Sequence, residues 1–486
     1  MGMRVTTGMS MNLYRYNLQN STANVNNSRN TVLTHRKFSS YGEAPAAATQ
    51  AWRVRRAMYQ TDIYTANNND TYTRFNIAWA TLGQACDDLE DKDGRFSDLR
   101  AFNDPTASGR SALGLVLRQT AESVAQTMNG AKSGESFLFS GNDELNAAFS
   151  WDGDMLLYRG VPVNAGGVHE PTEDPVPDRW GDIDPETKLP SKFPVETSRL
   201  DTVDRAWYDY YEAKAAFDKG ESTVNPDGDP NDPNAPASIN PSHMKLPPSL
   251  DVTKGAEVDD FGVPKIAYQI VKNGTYMNGN TNVNANKDEI LWAARLVDQG
   301  NLEKLNRMSK EEVPIDLGMG LLEDDNGKLV DGTYFNRSLP GINMLGYGVD
   351  EDGDPKNACM ILMRLGQIYE NCHEETGSYD KDDSSGTSEK ANAIREEAAR
   401  LIDKLKASQS FVTGNYVEVN AKSSYLDQNA DRLKLQGDYL AEQRAEIEDV
   451  DLADAISQFS WDYYCYSAAL KVGTQLLSQS LIDYMS

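Results

Sequence analysis

Histidine is scarce in this chain, four residues in 486, and no two stand at metal-ligand spacing. A zinc protease needs His-Glu-x-x-His on one helical face, with the glutamate as base. Here His169-Glu170 continues as Pro171-Thr172-Glu173 and His373-Glu374 as Glu375-Thr376, so neither completes the motif. These two, with His35 and His243, are expected on the surface. Cysteine is equally rare: Cys86, Cys359, Cys372 and Cys465. If Cys359 and Cys372 share a helix, their separation is about 20 Å, beyond disulfide reach. Free, partly buried thiols are expected, unlike those of a disulfide-stapled secreted fold. No phosphate-cradling glycine motif and no Gly-x-Ser-x-Gly elbow occurs. The chain is therefore not expected to be an enzyme, and no catalytic, cofactor-binding or metal-binding residue is nominated.

Long apolar runs are lacking too. No stretch reaches transmembrane length, and the first residues lack the apolar core of a cleavable signal peptide. Positive charge is in deficit, 47 Lys and Arg against 74 Asp and Glu, for a net charge of -27. That balance argues against nucleic acid or an anionic membrane as partner. Alternating carboxylates occur at Asp350, Asp352 and Asp354, but glycine falls fourth and proline sixth, where a calcium loop needs glycine. Asp227, Asp229 and Asn231 also lack it. Both read as acidic turns.

Proline is nearly confined to one region, with fifteen of the twenty between Pro162 and Pro264, alongside 21 acids and 9 bases. Continuous helices cannot cross such a stretch. Just before it, FLFSGNDELNAAFSWDGDMLLYRGVPVN has the short apolar runs and Asp-Gly turns of strands. Within the region, 201–219 and 287–308 read as helices and 225–248 as a surface loop. Helical patterning returns over 357–370 and 389–407, separated by the polar linker HEETGSYDKDDSSGTS.

What the chain does have is a sustained four-three repeat near both ends. Leu452, Ile456, Phe459, Tyr463, Tyr466, Leu470, Gly473 and Leu477, continued by Ser480 and Tyr484, form a series of period 3.5, the seam of a coiled coil. Running to the last residues, it expects cover from the other end of the chain or from another subunit. Met9, Leu13, Tyr16, Asn20, Ala23, Asn27 and Asn30 follow the same rhythm, the three asparagines weakening the seam while fixing register. Residues 1–60 hold eight bases and one acid, and residues 440–486 eight acids and two bases, which favours pairing of the two. A second pair of series runs through Phe75, Ala78, Leu82, Ala85, Leu89, Lys92, Phe96 and Leu99, and through Leu426, Ala430, Leu433, Gly437, Leu440, Arg444 and Ile447. The assembly seam is assigned to Leu13, Tyr16, Ala23, Leu452, Ile456, Phe459, Tyr463, Tyr466, Leu470 and Leu477.

Several segments resemble the flagellin superfamily, most closely its hook-associated junction branch. They are MRVTTGM (3–9), THRKFSSYGEAPAAATQA (34–51), ESFLFSG (135–141), FNRSLPGINMLGYG (335–348), EDVDLADAI (448–456) and SLIDYM (480–485). The family's Thr-Gly-Lys turn is here Thr34-His35-Arg36-Lys37. Its Ser-Asp-Asp-Pro turn is Tyr41-Gly42-Glu43-Ala44-Pro45, so only Pro45 and the alanines after it stand where the pattern has them. The resemblance covers both ends and both edges of the proline-rich region, while roughly 163–285 matches nothing in the family.

The resemblance implies a mainly α fold, a flagellin-like rod of N- and C-terminal helices forming a coiled coil, with an inserted α+β outer domain. The expected divisions are 1–60 (export and coiled coil), 61–149 (rod helices), 150–350 (insert, proline and aspartate rich over 164–264), 351–440 (rod helices) and 441–486 (coiled coil). It also implies a structural, extracellular role at the hook-filament junction, reached by type III export without a cleaved signal. Its implied partners are further copies of the chain, the first hook-associated protein, flagellin and an export chaperone. A filament flagellin and an adhesin displayed on flagella are the alternatives.

Overall fold

A computed structural model describes residues 7–38, 40, 42–90, 99, 109–176, 180–192, 200–228, 238–278, 281–373 and 375–485. The fold is mainly α. Its helices in chain order are α1 (Thr7–Thr34), α2 (Pro45–Leu89), α3 (Arg110–Gly130), α4 (Thr202–Asp218), α5 (Lys265–Asn273), α6 (Lys287–Ser309), α7 (Gly341–Leu345), α8 (Ala358–Glu370), α9 (Glu389–Glu448) and α10 (Leu452–Met485). The strands are short: β1 (Lys132–Ser133), β2 (Ser136–Phe137), β3 (Phe149–Asp152), β4 (Met155–Tyr158), β5 (Val161–Pro162), β6 (Thr275–Asn278), β7 (Thr281–Asn284), β8 (Pro314–Ile315) and β9 (Phe335–Asn336). All are paired antiparallel.

The chain divides into two units, and not at the expected boundaries of 150 and 350. One unit comprises Met1–Asp70, Asp316–Tyr334 and Leu426–Ser486; the other comprises Thr71–Ile315 and Phe335–Tyr425. The long helices cause the difference, because α2 and α9 each contribute to both units.

In the larger unit α3 crosses α8 where both carry glycine. A Cβ on Gly114 would stand 2.7 Å from the Gly366 carbonyl oxygen, and one on Gly366 would stand 2.9 Å from that of Gly114. Alanine at either site would force the helices apart. The sheet β3-β4-β5 turns through Gly153 and Gly160, both at positive φ, as the Asp-Gly and Arg-Gly pairs require. Helix α6 joins two apolar clusters, one around Trp207 and Tyr211 of α4, the other around Ile270 of α5 and Tyr276 of β6. The series Phe75, Ala78, Leu82, Ala85 and Leu89 is buried as its period predicts, while Lys92 and Phe96 lie outside the described residues.

The stretches read as a surface loop and as a linker both contribute packed residues. In the proline-rich loop, Met244 enters the α4 cluster, and Asp227 accepts hydrogen bonds from Tyr210 at 2.8 Å and Asn240 at 2.7 Å. The polar stretch between α8 and α9 buries Ser378 and Tyr379, with the Arg110 guanidinium 4.1 Å from the Tyr379 ring centre. The helix expected over 389–407 and the series 426–447 form one helix of 60 residues.

In the smaller unit, α1 lies antiparallel to α10, and the first part of α2 lies beside the last part of α9. Asn68 and Asn429 form a buried polar layer. Asn68 Nδ2 donates to the Leu426 carbonyl at 2.9 Å, and Asn429 Nδ2 donates to Asn68 Oδ1 at 2.8 Å. The segment 316–334 is fastened to this layer. Asn67 donates to the Asp316 carbonyl at 3.1 Å and Arg432 to that of Leu317 at 3.1 Å.

Candidate assembly surface

The stripe by which α1 meets α10 is built from modest residues. Met11, Tyr14, Leu18, Ser21, Val25, Ser28 and Val32 are the shielded positions on α1, and Ala455, Phe459, Asp462, Tyr466, Ala469 and Gly473 those on α10. Each set keeps the four-three spacing of a helix pair. Gly473 is buried against Tyr14, whose phenol occupies the space a Cβ there would need. Hydroxyls in and beside the stripe satisfy themselves on their own helix: Ser28 donates to the Asn24 carbonyl at 2.9 Å and Thr22 to that of Leu18 at 2.8 Å. No partner on α10 is needed for them.

At the other end of the pair the chain is cross-tied. Arg36 and Asp449 form an antiparallel bridge, Lys37 N–H donates to the Glu448 carbonyl at 2.7 Å, and Val450 N–H to that of His35 at 3.1 Å. His35 sits at φ 56°. Arg55 pairs with the buried Glu448 carboxylate at 2.6 Å.

This arrangement corrects the expected register of α1. Leu13, Tyr16 and Ala23, with Met9, Asn20, Asn27 and Asn30, are exposed and lie on a different stripe from the one that meets α10. The physical reason is that two overlapping four-three series run through α1. The series carrying Tyr14, Leu18, Val25 and Val32 has more to bury than one with three asparagines.

On α10, Phe459 and Tyr466 are half-buried toward α1, whereas Leu452, Ile456, Tyr463 and Leu470 stay exposed on the flank, Tyr463 at 57%. Leu477 belongs to α10, but its side chain is outside the described residues. A third row on this helix, Trp461, Tyr464 and Val472, is also exposed, Trp461 at 64%. Sequence reasoning missed it because the four-three template selects one seam only.

Helix α10 is therefore apolar on almost every side, with four charged residues, Asp454, Asp462, Lys471 and Asp483, in 34. A helix of that kind is ordinarily buried all round. Here α1 covers one side. Within the same unit, Trp52, Tyr59 and Ile63 on α2 and Leu435 and Tyr439 on α9 are exposed as well. Scattered exposed apolars need no explanation, whereas these lie densely along one helical unit. Charge also separates: α1 carries Arg15 and Arg29 with no acid, for +2, while three acids and one base give α10 -2. No helix among the described residues is long and apolar enough to cross a membrane.

The acidic turn is a real cluster with a protein counter-ion. Asp350, Asp352 and Asp354 converge on the Lys404 ammonium at 2.6, 2.8 and 2.6 Å, and Arg400 pairs with the fully buried Asp354 at 2.6 Å. Burial pushes the Asp354 carboxyl up, but the hydrogen bonds and charges of Arg400 and Lys404 outweigh it and hold the group below the usual carboxylate range. Lys404 occupies the position a cation would take. His35 and His243 are exposed, His169 and His373 half-buried. Cys86, Cys359 and Cys372 are buried thiols and Cys465 an exposed one.

Compared with known proteins, the chain matches no family model and no curated protein.

Proposed function

We propose that this chain is a non-enzymatic structural subunit of the bacterial flagellum, of the type of hook-associated protein 3, which joins the hook side to the flagellin filament. In this reading the paired helices form the coiled-coil rod of a flagellin-like subunit, and the proline-rich inserted region forms its outer domain. The subunit is extracellular, exported unfolded, and assembles with copies of itself, the first hook-associated protein and flagellin after release from an export chaperone.

The observation that carries the reading is the exposure of Leu452, Ile456, Tyr463 and Leu470 beside Trp461 and Tyr464 on a helix with almost no charge. Burying such a row stabilises by about 1.5–3 kcal/mol per large side chain, which gives subunit association its driving force. The resemblance of the quoted segments at both ends and around the insert supports the flagellin superfamily over other assembling helical proteins. Deleting the gene and imaging the cells by electron microscopy tests this. Hooks without filaments, with flagellin in the medium, are expected; normal filaments would contradict the reading.

A further inference from the structure

Within the smaller unit, residues 321–333 form a hairpin whose tip is preorganised. Glu323 pairs with Leu329, Val330 N–H donates to the Leu322 carbonyl at 3.0 Å, and the Asp324 carboxylate accepts from Asn326 N–H at 2.9 Å and Lys328 N–H at 2.8 Å. Gly327 takes the positive φ this turn requires. Four acids and one base give the hairpin a charge of -3. Leu321, Leu322 and Val330 are exposed on it. Its base is held by the contacts of Asn67 and Arg432 to residues 316 and 317.

The same unit carries a cleft of about 410 Å³ where the two helix pairs are joined, lined by Arg36, Arg55, Tyr59, Asp62, Arg444 and Glu448 among others. Glu448 is buried, and while one of its carboxylate oxygens pairs with Arg55, the other, Oε1, has no hydrogen-bond partner among the described residues. A buried carboxylate oxygen left unpaired costs about 1–3 kcal/mol, which a donor arriving from outside would recover. Trp52, Arg53 and Arg56 stand exposed near it on α2, with the Arg56 guanidinium over the Trp52 ring. The lining balances Arg36, Arg55 and Arg444 against Asp62, Glu448 and Asp449, and the exposed Arg53 and Arg56 beside it add positive charge, opposite in sign to the hairpin.

We propose that the hairpin tip of one copy docks in the cleft of a second copy. Glu323 and Asp325 meet Arg36 and Arg444, Lys328 supplies the donor that Glu448 Oε1 lacks, and Leu322 and Val330 lie on Trp52 and Tyr59. The cleft has room for a few side chains, so the tip enters and the body of the hairpin does not. The level of Asn67 and Arg432, where the hairpin is fastened, and that of Arg55 and Arg444, where the cleft opens, are twelve residues apart on both α2 and α9. That is about 18 Å along the helix pair. A contact between two different patches so displaced is head-to-tail and propagates into rings or helical stacks.

The inference rests on the assembly reading, and charge-swapped full-length chains separate the two. Glu323→Lys/Asp325→Lys and Arg36→Glu/Arg444→Glu are each expected to weaken self-association in sedimentation roughly tenfold or more, the scale of a charged pair lost at an interface. An equimolar mixture of the two is expected to associate more strongly than either alone. In a Cys465→Ser background, Asp325→Cys mixed with Arg444→Cys is expected to give an intermolecular disulfide. A hairpin variant that associates like wild type, a mixture no stronger than its components, or no crosslink overturns the inference. If that variant also enters flagella normally while Ile456→Asp does not, only the hairpin contact falls and the assembly reading stands. A wild-type chain that stays monomeric at every concentration and is absent from flagella removes both.

Discussion

Gly473 on α10 is the position over which the Tyr14 phenol of α1 lies, so close that a Cβ there would overlap the hydroxyl. The contact sets how near the two helices come. Gly473→Ala is expected to destabilise their pairing by about 1–3 kcal/mol, the usual cost of overpacking, seen as faster hydrogen exchange in α1. Tyr14→Leu in the same chain should recover much of the loss. Unchanged exchange in Gly473→Ala would show that α1 does not pack at this point.

The Asn68–Asn429 layer carries a second prediction. Asn68→Ala removes the side-chain donor to the Leu426 carbonyl and one of the two acceptors of the Asn429 amide, which keeps the Leu317 carbonyl at 3.3 Å, at a cost of about 1 kcal/mol. Replacing both asparagines by leucine should cost less than the single change and blur the register of the pair, read as broadened urea unfolding. A double variant less stable than either single one would count against the layer as a register device.

The acidic cluster makes stability depend on pH. The carboxyls of Asp352 and Asp354 lie below their ordinary range in the folded chain. For such groups the stabilisation is fully present above the unfolded pKa, about 4, and is lost as pH falls through the lower folded values. Lys404→Met should remove the partner common to the three carboxylates, with Asp354 keeping Arg400, and cost about 1–3 kcal/mol at neutral pH. Acid unfolding of that variant should begin at higher pH than in wild type. Identical acid midpoints would contradict the arrangement.

Thiol reactivity gives a simple check on the packing. Cys465 is expected to react at once with an aromatic disulfide reagent, whereas Cys86, Cys359 and Cys372 react only on unfolding. Burial pushes the Cys359 thiol up to about 12, which removes its thiolate at neutral pH. Rapid modification of two or more thiols in the native chain would show that the interior is open.

Much of this was legible where local chemistry decides structure. The helices read over 201–219, 287–308 and 357–370 appear within a residue or two, each started by a side chain that caps it: Asp201, Asn286 and Asn357. The buried positions Phe75, Ala78, Leu82, Ala85 and Leu89, and Leu426 and Leu433, followed from period alone. The face of α1 did not, because two four-three series overlap along it and the one through Leu13 and Tyr16 masks the one through Tyr14, Leu18, Val25 and Val32 that the partner helix covers. Burial of Tyr379 in a polar segment was equally hidden, since one aromatic among Ser, Asp and Gly gives no periodic signal. The Asn68–Asn429 layer left none either, two asparagines 361 residues apart being joined only by the fold. The third exposed row of α10 was visible as composition, in the aromatics from Phe459 to Tyr466, but a single-seam template passed over it.

The central claim is that the exposed row of α10 assembles the subunit. The measurement that tests it most directly is the fate of Ile456→Asp and Leu470→Asp in cells, with secreted protein and flagellar protein quantified separately and filaments counted by electron microscopy. Both side chains are exposed in the isolated chain, so the folded monomer should keep wild-type stability to within about 0.5 kcal/mol. A carboxylate buried unpaired at a subunit interface costs several kcal/mol. The account predicts variants that are exported, folded and lost to the medium, on cells bearing bare hooks. Normal filament number with either variant incorporated would contradict it.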